Sequence, residues 1–143
     1  MHPKSSTSQL PSTQVARIIH LALMAGVTLF AVIAWFAPGA APAPASGLRT
    51  ILPVVAILGF LGANLLRRRL PARHPGETDG AWWQRAMPGA IMSWALIETA
   101  CLVACVTVFL SHDWMGLVWV GIGLLMFTLL SPGRLSDSAR SAS

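Results

Sequence analysis

Residues 87–110 read MPGAIMSWALIETACLVACVTVFL, a stretch of 24 residues in which Glu98 is the only acidic or basic side chain. At a helical rise of 1.5 Å per residue this stretch spans about 36 Å, more than the roughly 30 Å of a bilayer's hydrocarbon core. Its apolar residues run continuously and do not alternate with polar ones, which excludes a strand of a membrane β-barrel. The stretch therefore predicts a membrane-spanning α-helix.

The composition of the whole chain supports the same class. Of its 143 residues, 55% are apolar and 10% are charged, whereas an ordinary soluble domain has roughly 25% charged residues. A chain this short with so few charges could not cover the surface of a soluble fold. The composition thus excludes a soluble enzyme domain, a disordered regulator and a small disulfide scaffold.

Three further apolar runs accompany the first one, and we expect an all-α integral membrane bundle of four transmembrane helices over residues 15–131. Residues 1–14 and 132–143 are polar, and we expect a disordered cytoplasmic tail at the N-terminus and a second cytoplasmic tail at the C-terminus. Pro53 and Pro88 are expected in the first turn of their helices, where a missing N–H costs little. The predicted spans are residues 18–37, 49–66, 87–110 and 114–130.

The first span has an alternative interpretation as a cleaved signal peptide. Two basic residues precede or open it, and AAPAPA follows at residues 40–45 as a candidate cleavage site. The apolar run of 20 residues exceeds the 7–15 residues of a signal-peptide core, so we expect the span to be retained.

The basic residues predict an orientation for the bundle. With the loop between spans two and three in the cytoplasm, nine of the ten Lys and Arg residues lie on the cytoplasmic side, and Arg49 alone lies outside. The positive-inside rule then places both termini in the cytoplasm, in a bacterial-type inner membrane. Trp82 and Trp83 are expected at the inner interface, where amphipathic rings prefer to lie.

Glu98 is the residue that the bilayer interpretation leaves unexplained. A carboxyl group near the middle of a span is costly when charged, so it is usually protonated, paired or exposed to a wet cavity. Two roles stay open: carrying a proton or other ion, and hydrogen-bonding to a neighbouring helix. The candidate intramembrane partners are Thr28, Asn64 and Thr128.

Helical spacing places Trp94, Cys101 and Cys105 on the same face as Glu98. A redox or metal role is open for the two cysteines, but we favour packing, because two small residues four apart are common where helices meet in lipid. The four histidines form no metal-ligand pattern with them, and we expect no metal and no cofactor.

Small residues four apart also predict close helix packing elsewhere. The basic residues after the second span are candidate contacts to anionic lipid, and Arg17 and His20 share a face that we interpret as a headgroup contact. The predicted packing positions are Ala22, Gly26, Gly59, Gly62 and Ala63, and the predicted loop or lipid contacts are Arg67, Arg68, Arg69 and Arg73.

The hairpin at residues 54–110 resembles the proteolipid (c) subunit of rotary ATP synthases. Gly59, Gly62 and Ala63 stand in its first helix, Ala72-Arg73-His74-Pro75 in its loop, and Ala95-Leu96-Ile97-Glu98-Thr99-Ala100 in its second helix. His74 replaces the glutamine of that family's loop, and two extra spans flank the hairpin. The resemblance implies that Glu98 is the ion-carrying carboxylate.

No serine–histidine–acid set, phosphate-binding glycine loop or carboxylate pair stands in the chain, so we expect no catalytic residues and no enzyme. The pI near 11.1 does not indicate nucleic acid, because the basic residues of membrane proteins mark cytoplasmic loops. We expect association through helices, with itself or with a membrane partner. The alternative is translocation of an ion, proton or solute through Glu98.

Overall fold

A computed structural model describes residues 12–37 and 46–141, of which 87% are helical and none forms a β-strand. The first eleven residues of the expected N-terminal tail, and the AAPAPA sequence, lie outside this described part. The helices are α1 (Ser12–Phe36), α2 (Ser46–Arg68), α3 (Asp79–Ser111), α4 (Trp114–Leu129) and α5 (Pro132–Ser141).

Local sequence determines the two ends of α3 and the start of α4. Thr78 caps the N-terminus of α3 by accepting a hydrogen bond from the N–H of Ala81. At the other end His112 takes a left-handed conformation with a φ of 47°, and its N–H donates to Val108. Asp113 then caps α4 by accepting a hydrogen bond from the N–H of Met115.

Two segments are more helical than the sequence predicts. α3 begins at Asp79 and not near residue 87, so Pro88 lies inside this helix, as Pro53 lies inside α2. Each proline removes one backbone hydrogen bond without ending its helix, as membrane helices tolerate. The expected C-terminal tail contains α5, because Leu135 gives this short helix an apolar residue to bury.

α3 is the central helix, and α1, α2 and α4 all pack on it. The hydroxyl of Ser12 donates to the carbonyl of Gly80, so α1 and α3 begin at the same end and run in parallel. α2 and α4 run antiparallel to α3, because short connections join them to its two ends. The four helices therefore alternate in direction along the chain.

Glycines allow the closest approaches to α3. A methyl group added at Gly59 would lie 3.0 Å from the carbonyl oxygen of Leu96, and one added at Gly116 would lie 2.9 Å from that of Ala104. These carbonyl groups belong to the backbone of α3 and cannot move aside without distorting the helix. α2 and α4 therefore come this near to α3 only because Gly59 and Gly116 have no side chain. A methyl group added at Gly62 would likewise meet the side chain of Leu96, and Ala63 is buried.

α1, α2 and α3 are each long and apolar enough to cross a membrane. α4 has 16 residues, about 24 Å at helical rise, which is short for a span on its own. It passes the same test together with α5, from which it is bent by 50°. Residues 12–37 and 46–141 thus contain three helices that could span a bilayer, or four if α4 and α5 form one bent span.

Candidate functional site

Glu98 lies at the edge of the buried face of α3. Trp94, Cys101 and Cys105 on its predicted face are buried, Glu98 itself is half-buried, and Leu102 one turn further is exposed. Among the residues that the structure describes, none forms a hydrogen bond or ion pair with the carboxylate of Glu98. The carboxyl group therefore lies between the helix interface and the outer surface without a hydrogen-bond or ion-pair partner among the described residues.

The three predicted partners of Glu98 do not reach it. The hydroxyl of Thr28 donates to the carbonyl of Met24 at 2.8 Å. The hydroxyl of Thr128 donates to the carbonyl of Leu125 at 2.7 Å. Each threonine hydroxyl thus donates to a backbone carbonyl of its own helix. The sequence does not reveal whether a threonine takes this local partner or one on another helix. Asn64, on α2, makes no hydrogen bond to Glu98 either.

The two cysteines are buried free thiols. A methyl group at Gly123 on α4 would collide with the sulfur of Cys101, so the thiol fills the space that this glycine leaves. In the described part of the chain, no three His, Cys, Asp or Glu residues come together in a way that could hold a metal ion. These contacts favour a packing role for Cys101 and Cys105.

A cluster of aromatic rings lies nearer the beginning of α3. Trp82 and Trp83 are 1% and 0% exposed, although the sequence predicts them at a membrane interface. The indole N–H of Trp82 donates to Pro71, and that of Trp94 donates to Leu130 at 2.9 Å. The connection after α2 and the end of α4 thus cover these rings and satisfy two of their polar groups.

Ion pairs fasten the connection between α2 and α3 to the rest of the bundle. Arg85 pairs with Glu77 at 2.6 Å, and Arg73 pairs with Asp79 at 2.6 Å. Asp79 also accepts a hydrogen bond from Arg140 on α5 at 2.7 Å. Loop, α3 and α5 are therefore joined at one end of the molecule.

These pairs divide the arginines that the sequence predicts as lipid contacts. The side chain of Arg73 is 14% exposed and holds the loop together, donating also to the carbonyl of Glu77. Arg67, Arg68 and Arg69 form no ion pair with any residue that the structure describes. The sequence could not separate them, because the partners of Arg73 are Glu77, four residues away in a loop without periodicity, and Asp79, six residues away at the start of α3.

The two small-residue pairs also have different surroundings. Gly59 and Ala63 of α2 are packed against other helices, whereas Ala22 and Gly26 of α1 are exposed. No heavy atom outside the local helix lies within 4 Å of a methyl group built on Gly26. The face of α1 that carries this pair is therefore not covered by any part of the chain that the structure describes.

His20 is a site residue whose surroundings the sequence does not reveal. It is 4% exposed, and its ring contacts Trp94 and Phe127 at centroid distances of 5.0 and 5.6 Å. Its Nδ1 atom has no hydrogen-bond partner. A groove between α1 and the junction of α4 with α5 opens beside it, and Arg17 lines the same groove.

Comparison with protein-family models, curated proteins and solved structures finds no significant match to the chain. The likeness to the proteolipid subunit therefore stays a prediction, carried by the residues of the hairpin alone. The structure contains the hairpin itself, since α2 and α3 run antiparallel and are joined by the loop at Arg73.

The pair of Glu77 and Arg85 predicts a pH-dependent stability. The hydrogen bond from Arg85, with a second from the N–H of His74, lowers the pKa of Glu77 below its ordinary value of 4.5. A carboxyl whose pKa is lowered by folding stabilises the fold above that ordinary value, and the contribution is lost as pH falls through the lower, folded value. Unfolding in detergent micelles between pH 7 and pH 3 should therefore show a smaller acid loss of stability in Glu77→Gln than in the parent chain.

Arg85→Gln provides the matched test, because it removes the first cause of the lowered pKa and leaves the carboxyl in place. It should flatten the same part of the pH profile. Parallel profiles for the parent chain and both variants would show that the pair does not couple to folding.

Proposed function

We propose that this chain is a small multi-pass protein of a bacterial-type inner membrane that acts by helix–helix association, with itself or with a membrane partner. The observation that carries the proposal is the uncovered small-residue face of α1. Ala22 and Gly26 lie on it, and Leu29 and Ile33 continue it at the spacing of one helix face. All four residues are exposed, although the similar pair of Gly59 and Ala63 on α2 is packed against other helices.

Close packing gives this face its energy of association. In lipid no hydrophobic effect drives helices together, so dispersion contacts between closely packed backbones take its place. Small residues allow that approach, and Ala22 with Gly26 forms such a small-xxx-small pair. A second copy of α1 supplies the same surface, which makes a two-fold symmetric contact between two chains the simplest arrangement.

We propose an orientation with both termini in the cytoplasm. Eight arginines with described side chains lie at the end where α3 begins, and Arg49 lies in the first turn of α2 at the other end. The positive-inside rule assigns the arginine-rich end to the cytoplasm. The eight are Arg17, Arg67, Arg68, Arg69, Arg73, Arg85, Arg134 and Arg140.

Substituting Gly26 tests the association. Gly26→Ile adds a branched side chain to the face, which should weaken self-association about tenfold, a change of roughly 1.4 kcal/mol. The measurement is energy transfer between labelled chains in vesicles as the ratio of protein to lipid is varied.

Gly121→Ile is the matched control, because Gly121 is an exposed glycine of α4 that also has open space around it. It should leave the association within about twofold of the parent chain, a few tenths of a kcal/mol. Equal weakening by the two substitutions, or a parent chain that stays monomeric at every ratio, would contradict self-association through α1.

A second candidate function is translocation of an ion, a proton or a solute by Glu98. The specific observation in its favour is the unpaired carboxyl group, half-buried in the apolar middle of α3. Placing a carboxyl group inside the membrane costs free energy, and no described residue offsets that cost for Glu98. A functional role is then the first hypothesis for such a group. The resemblance of the hairpin to the proteolipid subunit supports the same role.

Glu98→Gln separates this function from a structural one. The amide has the same shape but carries no exchangeable charge, so proton flux into vesicles containing the purified chain should fall at least tenfold. Thr99→Val is the control, because the hydroxyl of Thr99 donates only to the carbonyl of Ala95 in its own helix. Equal flux for the parent chain and Glu98→Gln, or no flux above empty vesicles, would contradict translocation.

A further inference from the structure

The groove beside His20 combines features that neither proposed function uses. It has a volume of about 410 Å³ and lies between the first turns of α1 and the bend that joins α4 to α5. It is at the arginine-rich end of the molecule. Its polar lining comes from Arg17, His20, Thr128 and Ser131, its backbone lining from Gly133, and its apolar lining includes Leu21 and Met24.

The imidazole of His20 is a buried polar group with an unmet hydrogen bond. It is 4% exposed, and its Nδ1 has no partner. Trp94 and Phe127 lie against the ring and offer it only aromatic contacts. Buried polar groups are normally hydrogen-bonded, and the residue that carries this unmet group also lines the groove.

Arg17 brings an uncompensated positive charge to the mouth of the groove. It is exposed and forms no ion pair with a described residue. The acids at this end are paired with other arginines: Glu77 with Arg85, Asp79 with Arg73, and Asp137 with Arg140. An anion entering the groove therefore meets a guanidinium with its donors free.

The N-terminus of α5 adds backbone donors on the opposite wall. α5 begins at Pro132 and has 10 residues, and the N–H of Leu135 is the first to close a turn, on the carbonyl of Ser131. The preceding N–H groups, those of Gly133 and Arg134, have no acceptor within the helix. A methyl group at Gly133 would meet nothing within 4 Å, so a ligand can approach the backbone closely there.

The ligand chemistry follows from these donors. A guanidinium, an imidazole, a hydroxyl and a helix N-terminus around one opening suit a phosphate group, which accepts several hydrogen bonds and carries negative charge. Leu21, which is 63% exposed, and Met24 continue the groove along α1 toward its apolar middle. That continuation suits an acyl chain beneath a headgroup.

We propose that this groove binds a phosphate group, carried by an anionic phospholipid headgroup or by free phosphate, between Arg17, His20 and the N-terminus of α5. The site does not depend on self-association or on Glu98. It makes α5 part of a binding site, whose ligand also joins α1 to the end of α4.

Binding is tested on the full chain in a neutral detergent by calorimetric titration at constant ionic strength. The probes are dihexanoyl phosphatidylglycerol and inorganic phosphate, which separate a lipid source from a free one. Arg17→Gln should weaken binding of whichever probe binds about tenfold, because a charge-assisted hydrogen bond is lost. Gly133→Leu should do the same by filling the groove, and the open space around Gly133 accommodates the new side chain.

Arg68→Gln is the matched control, because Arg68 is another exposed arginine at the same end that has no acidic partner among the described residues. The sequence predicts Arg68 as a contact to the bilayer surface, but it lies outside the groove. Its loss should therefore change the dissociation constant of a probe in detergent solution less than twofold. If only the phospholipid binds, the ligand is a lipid of the bilayer. If inorganic phosphate competes with the phospholipid, the site also binds the free anion. The proposal is overturned if neither probe binds, or if Arg68→Gln weakens binding as much as Arg17→Gln.

Discussion

The separation of charge from apolar helix is the constraint on which the rest of the structure depends. Charged groups cannot be left unpaired in an apolar surrounding without a cost of several kcal/mol. The chain meets this constraint by collecting its arginines at the end where α3 begins, and by pairing several of them there with Glu77, Asp79 and Asp137. The helices beyond that end are then free to be almost entirely apolar.

The charged residues at this end also position the aromatic cluster and the groove beside His20. The ion pairs of Asp79 and Glu77 hold the connection and α5 against α3, and this cover buries Trp82 and Trp83. The position of α5 in turn directs its N-terminus toward the groove beside His20. Glu98 is the exception to the separation, and the structure supplies no partner that would offset its cost.

The helical fold could be predicted from the sequence, because long apolar runs and a capping residue such as Asp113 act locally. The early start of α3 could not, since its cap Thr78 lies nine residues before the apolar run begins at Met87. α5 was also unpredictable, because a single buried leucine in a polar segment gives no periodic signal.

The sites were only partly predictable, and for a similar reason. Spacing places Trp94, Cys101 and Cys105 on the face of Glu98, because one helix determines that geometry. It cannot determine that Thr28 bonds to its own helix, or that Arg73 turns toward Asp79 while Arg68 stays unpaired. These outcomes depend on which helices meet, and likewise Ala22 and Gly26 differ from Gly59 and Ala63 only in what covers them.

The orientation of the bundle is the claim on which the account most depends, and cysteine labelling in intact cells tests it directly. Ala37→Cys places a thiol at the end of α1, and Ala72→Cys places one in the loop at the arginine-rich end. The native Cys101 and Cys105 are buried, so the parent chain should stay unlabelled. A membrane-impermeant maleimide should label the cysteine at 37 in intact cells, and the one at 72 only after the membrane is permeabilised. Labelling in the reverse order, or of both positions in intact cells, would contradict the account.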